Sequence, residues 1–234
     1  MRPPVPPSDQ VATAPPSSVA PVARRRGQGR RRRPPGAEDA GAWKKDPEGR
    51  RRRVLEEATR LFSERGYSSV TTGDVAAAAG VAEGSVFHYF GSKPGLLRAV
   101  GERYGAEFAA AMFDGADEEV SPDSVEALLR RAFTFVGGSY AGFGLFLLSD
   151  GAAAAPLARK ANREVVTEAI EVALLQWQAK GEVGSVDAPV AAHLLFGLVE
   201  SALKAAFAPE GGIEPERAIV ATVRAMVRIL DLER

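Results

Sequence analysis

Apolar and polar positions alternate with helical period along most of the chain. Val54, Leu55, Ala58, Leu61 and Phe62 recur at i, i+1, i+4, i+7 and i+8, which predicts one amphipathic helix over Glu48–Glu64, stopped at Gly66. A shorter pattern follows. Thr71 stands where an N-cap belongs and Asp74 three residues on, the spacing of a capping box. Val75, Ala76 and Ala79 make a small apolar face, and Gly80 falls where a left-handed residue would end the helix. After Val81 the pattern resumes with Val86, Phe87 and Phe90. Ser92-Lys93-Pro94 opens a further helix, Pro94 suiting its first turn, with Leu96, Leu97, Val100, Tyr104 and Phe108 on one face and a break at Gly115–Glu119. Ser121-Pro122 caps the next, to about Val136.

Glycines then interrupt a stretch rich in Phe and Tyr around Gly137–Gly144. Long helices are predicted over Pro156–Lys180, from Asp187 and Pro189 to about Ala208, and from Pro215 to about Leu232. In the last, Ile219, Val223, Met226 and Leu230 form one face, and Arg217, Arg224 and Arg228 lie on another flank. Strand-length alternation, hairpin signals and internal repeats are missing from the pattern. The expected fold class is all-α.

Charge changes this picture at one end. Residues 1–53 hold 14 Lys and Arg against 5 Asp and Glu, whereas residues 54–234 hold 16 against 25, so a net charge of zero conceals +9 followed by −9. A cationic end on an acidic body points to a polyanionic partner. Residues 1–45, dominated by Pro, Ser, Ala and Arg, contain too few large apolar groups to offset the entropy of ordering. They are expected to be a disordered Arg/Pro-rich arm, either adding phosphate contacts or remaining a solvated tail. The chain has no cysteine, which excludes disulfides and thiolate metal sites. No apolar run is expected to approach the roughly 20 residues of a membrane span, so a cytoplasmic protein without membrane contact is expected.

Two short helices with small residues at their crossing and Gly between them are what a helix-turn-helix requires, and its second helix lies in the DNA major groove. The residues Ala58, Leu61, Phe62, Gly66, Tyr67, Thr71, Thr72, Ala76, Gly80, Val81, Gly84, Ser85, Phe87, Tyr89, Phe90, Ser92, Lys93, Leu96 and Leu97, in this order and spacing, resemble the DNA-binding domain of the TetR (tetracycline repressor) family of transcriptional regulators. The resemblance implies a three-helix helix-turn-helix domain over 46–92 and a helical ligand-binding and dimerisation domain over 93–234. It implies that Thr72, Ser85, Phe87, His88, Tyr89 and Lys93 contact a double-stranded DNA operator. Lys93 and the Thr72 hydroxyl would touch phosphate. Phe87 replaces a more usual Tyr and loses a hydroxyl, and Gly73 removes a side chain that in some relatives reads a base.

The family pattern further implies a homodimer through the last two long helices, with Ala192, Leu195, Val199, Ala202 and Ala206 as a close-packing face. Burial of that face within one chain is the alternative. An apolar or aromatic small-molecule effector would sit among Met112, Phe133, Phe146, Trp177 and His193, each of which also reads as ordinary core. His88 and His193 are too far apart in sequence to suggest a metal site, and no catalytic or nucleotide-binding motif is present. No enzyme activity, metal or cofactor is expected. The function expected is a regulator, in the repressor sense, released from a palindromic operator by a ligand. The alternative is a dimeric DNA-binding protein without an effector.

Overall fold

The structure is a computed structural model, and it describes residues 46–113, 119–138, 143, 144, 147, 154–207 and 212–232. The arm over 1–45, Phe146 and most of the break at Gly115–Glu119 lie outside the described residues. The helices are α1 (Pro47–Arg65), α2 (Thr72–Ala79), α3 (Glu83–Phe90), α4 (Lys93–Phe113), α5 (Pro122–Gly137), α6 (Ala155–Lys180), α7 (Ala188–Phe207) and α8 (Pro215–Ile229). Among the described residues there is no strand, so the all-α expectation holds.

Local chemistry sets the ends of these helices. Asp46 caps α1 by accepting from the Gly49 N–H at 2.8 Å, which places the start just before the predicted Glu48. Ser121 and Ser124 form a reciprocal capping box on α5. Glu214 accepts from the Arg217 N–H at 3.0 Å at the start of α8. At the far end of α4, the Arg131 guanidinium donates twice to the Met112 carbonyl, at 3.0 and 2.8 Å. That carbonyl belongs to the last turn, where no helical donor remains to satisfy it.

Two cores result. The first belongs to a head of α1, α2, α3 and the start of α4. It holds Val54, Leu61, Phe62, Val75, Val86, Leu96, Leu97 and Val100, and extends to Tyr104, Phe143 and Ala158. The second lies within a ring in which α4 packs on α6, α6 on α7, α7 on α8, α8 on α5 and α5 back on α4. Every residue predicted for the inner face of α4 is buried.

The α4–α6 crossing is unusually close. A methyl group on Gly101 would stand 2.5 Å from the Ala158 carbonyl oxygen, and one on Gly105 would stand 3.0 Å from that of Asn162. Glycine is required there by the approach of the second backbone. Across the ring, Arg163 pairs with Glu200 at 2.8 Å and Arg130 pairs with Glu216 through two contacts of 2.5 and 3.0 Å. Both pairs are largely exposed, so they fix register more than they stabilise.

Three expectations change. Ala192, Leu195, Val199 and Ala202 are buried within this chain, because α7 turns that face onto its neighbours in the ring. The outward face of α7 carries Val190 and Leu194 instead, each more than half exposed. Second, α7 is long and apolar enough by length and composition to cross a membrane, contrary to the expected absence of such a run. Its buried face serves the ring core, and its Glu200 is ion-paired. Third, α8 ends at Ile229 rather than near Leu232.

Candidate nucleic-acid interface

The head presents α3 through α2. In α2, the Asp74 N–H donates to Thr71 Oγ1 at 3.0 Å while the Thr71 N–H donates to Asp74 Oδ2 at 2.8 Å, the reciprocal box its sequence predicted. The Thr71 hydroxyl and N–H together hold the Asp74 carboxyl below the usual carboxylate range. Gly80 closes the helix at φ 66°, ψ 35°, a left-handed conformation that glycine adopts without strain. The chain then turns into α3.

Helix α3 differs. Its N-cap, Ala82, makes no side-chain bond, and only Val86 of its eight residues is buried. Gly84, Phe87 and His88 are exposed, and Ser85 and Tyr89 are half-buried. Phe87 is 47% exposed, so it leaves the apolar face on which its spacing had placed it. The His88 and Tyr89 rings meet edge-on with centroids 5.4 Å apart. The predicted α3 residues therefore share one outward surface of the head.

Lys93 begins α4, just past the Gly91 turn. A cation at a helix N-terminus opposes the helix dipole, so this placement favours an anionic partner outside the chain. Its ammonium stands 4.2 Å from the centroid of the Tyr67 ring, a cation–π contact. Burial raises the Tyr67 pKa. Arg51 of α1 lies over the Phe90 ring at 5.4 Å, so one of the arginines preceding Val54 also reaches α3.

Thr72 is not free. Its hydroxyl donates to Glu83 Oε1 at 2.6 Å, joining α2 to the first residue of α3. Glu83 is exposed, but its carboxylate turns back onto α2. A hydroxyl has one proton, so a phosphate can receive it only by displacing Glu83. Sequence spacing gave no signal for this pair, whose members are 11 residues apart.

The body residues expected around a ligand do not converge. Met112, Phe133 and Trp177 are buried in the ring core. His193 is exposed on α7, with Nδ1 2.9 Å from the Pro189 carbonyl oxygen. A cleft does open between α4, α5, α6 and α7, but its walls are Tyr104, Phe108, Asn162, Phe196, Val199 and their neighbours. Among the described residues, no group of three His, Asp or Glu converges as a metal site would.

A capped short helix crossing an uncapped one, with the second displaying its polar and aromatic side chains outward, defines a helix-turn-helix head of the kind that reads duplex DNA. Residues 54–100 match the family model of bacterial regulatory proteins, tetR family. It is 29% identical over 117 residues to the HTH-type transcriptional repressor KstR2 of Rhodococcus jostii, covering 48% of this chain and 54% of that one. The chain thus spans about half the length of the curated relative it matches. Two solved structures share the fold. The transcriptional regulator FadR from Bacillus subtilis in complex with stearoyl-CoA has a TM-score of 0.56 at 16% identity, covering 76% of this chain and 98% of that one. RolR in complex with resorcinol has a TM-score of 0.57 at 19% identity, covering 82% and 95%.

Proposed function

We propose that this protein is a homodimeric, cytoplasmic transcriptional repressor that reads a palindromic DNA operator through α3 and releases it when a small molecule binds in the helical body. The observation carrying this reading is α3 itself. It has one buried residue and a continuous outward surface of Ser85, Phe87, His88 and Tyr89, followed by Lys93 at the start of α4. In the bound state Ser85 and His88 meet base edges, Phe87 packs against a thymine methyl, and Tyr89, Thr72 and Lys93 meet phosphates. On this reading residues 46–92 form the DNA-binding unit, residues 93–234 the ligand and dimer unit, and the arm over 1–45 adds sequence-independent phosphate contacts.

Two copies meet through α7 and α8, using the outward α7 face of Val190 and Leu194 together with Val220 of α8, all exposed in the single chain. Two-fold symmetry places the recognition helices in successive major grooves about 34 Å apart. Responsiveness to a ligand is supported by the body cleft, and by FadR and RolR, whose structures of this fold hold stearoyl-CoA and resorcinol. A ligand that favours a body conformation with another helix separation weakens DNA binding, and DNA weakens ligand binding equally.

Selection from a random double-stranded DNA pool, using the full chain and a version starting at Ala42, tests the reading. One palindrome enriched by both is expected. Salt-sensitive binding without any enriched sequence, lost with the arm, would overturn it. With the enriched operator, Lys93→Ala is expected to weaken all sequences alike and reduce the salt slope by about 1. An unchanged affinity across salt concentrations would show that α3 docks in another orientation.

A further inference from the structure

A groove lies where the head meets the body, and neither the α3 surface nor the ring core uses it. It runs between the first two turns of α1 and the first half of α6, over α4. Its space is about 540 Å³, within the roughly 300–1,000 Å³ of pockets that enclose a drug-sized group.

The groove is apolar at its floor and charged at its rim. Leu55 of α1, Ala99 and Ala106 of α4, and Ala161 and Val165 of α6 make the floor. The alanines keep the slot open, because none reaches across it. Glu48, Arg52 and Glu164 stand at the rim. The Arg52 side chain is 71% exposed and lies 3.8 Å from Glu56, and Glu164 lies 3.8 Å from Lys160. Both contacts are longer than a hydrogen bond, so these groups retain bonding capacity. Glu48 enters no ion pair among the described residues.

The sequence supplies an occupant. Trp43 is the one aromatic residue among 1–45, and Lys44 and Lys45 follow it. It stands three residues before Asp46, the cap of α1, so at most about 11 Å of extended chain separates the two. Glu48 of the rim lies in the first turn of that helix, so the groove opens where the arm joins the head. A tryptophan combines a large apolar body with one N–H donor, and its face is the best aromatic partner for a guanidinium. The groove offers the complement of each feature: an alanine floor, a carboxylate and Arg52. The two lysines complement Glu48 in charge.

We infer that Trp43 docks in this groove of its own chain, its ring between the alanine floor and the Arg52 guanidinium and its N–H donating to Glu164. Because the walls belong to α1 and α6, the docked indole ties the head to the body and restricts the angle between them. The inference does not depend on what the protein binds.

The test uses the full chain carrying 5-fluorotryptophan, whose two fluorine resonances, from Trp43 and Trp177, are assigned with Trp43→Phe. Trp177 is buried in the ring core, so its resonance reports that the body stays folded. Trp43 is expected to resonate away from its position in the urea-unfolded chain. Ala106→Arg fills the slot from an exposed helical position, and is expected to return Trp43 to the unfolded position with Trp177 unmoved. Glu164→Lys removes the acceptor and repels the lysines, and is expected to lose part of the displacement. A wild-type Trp43 already at its unfolded position would overturn the inference without any variant. A displaced resonance that ignores both variants would place the indole outside this groove. Displacement that vanishes on dilution would seat it in another copy and end the intrachain clasp.

Discussion

Helices α2 and α3 have the same length and lie side by side, yet they are held in opposite ways. Helix α2 carries its own stability: a reciprocal box at one end, a left-handed glycine at the other, and three buried residues between. Helix α3 has an alanine cap without a side-chain bond and a single buried anchor. It is kept in place by Val86 inserted into the head core, by the Thr72–Glu83 bond to α2 and by the turn into α4. The difference separates two tasks. The helix that is only a support satisfies its own ends, while the helix that displays side chains leaves its outward groups uncommitted and is stabilised by its neighbours.

The largest break in this comparison is at the anchor. Val86→Asp places an unpaired charge at a site 1% exposed, and is expected to destabilise the head by about 3–5 kcal/mol, abolishing DNA binding. Chemical denaturation followed by head-specific fluorescence checks it, and a stable head would mean α3 is not held by Val86. Next, Thr71→Ala removes the cap of α2 and should lower stability by about 1 kcal/mol, whereas Ala82→Ser, adding a cap to α3, should raise it by no more. Equal losses from alanine at both caps' neighbours in a denaturation series would erase the contrast.

A smaller effect sharpens the role of Glu83. Glu83→Ala frees the Thr72 hydroxyl for the phosphate contact proposed above and removes the carboxylate that now holds it, so DNA affinity should rise a few-fold, roughly 0.2–1 kcal/mol as for exposed pairs. A fall in affinity would show that the carboxylate is needed to hold α3 against α2. The smallest effect is in pH. Because the Asp74 carboxyl is held below its ordinary value by Thr71, its contribution is present above the unfolded value and is lost as pH falls through the lowered folded one. Acid titration of head stability should therefore flatten in Asp74→Asn, and an unchanged profile would remove the box from the account of α2.

Much of this was legible from spacing. The Thr71–Asp74 box, the left-handed Gly80, the Ser121 cap and the inner face of α4 are local features, decided within three or four residues, and all occur where the pattern places them. What spacing could not show is which of two apolar faces a helix turns inward. Helix α7 is apolar nearly all round, so Ala192 and Val199 went to the chain's own core and Val190 and Leu194 outward, a choice made by α6, α8 and α5 rather than by α7. The cleft escaped for the same reason. Met112, Phe133 and Trp177 are as aromatic or apolar as Phe108 and Phe196, and only the ring's closure determines which of them fill the core and which border open space. The Thr72–Glu83 bond spans two helices and a turn, beyond the reach of any periodic pattern.

The crossing at Gly101 and Gly105 bears on how this protein can drift in sequence. Alanine is the least change either glycine can undergo, and at Gly101 even its methyl carbon would sit 2.5 Å from a backbone oxygen. A side chain at that position cannot be accommodated by turning another side chain aside, since the obstacle is main chain. Descendants of this sequence must keep glycine at Gly101, or separate α4 from α6 along their length and refill both cores around the new gap. In a saturation library selected for folding, Gly101 should tolerate less than Gly84, where a methyl group meets nothing within 4 Å.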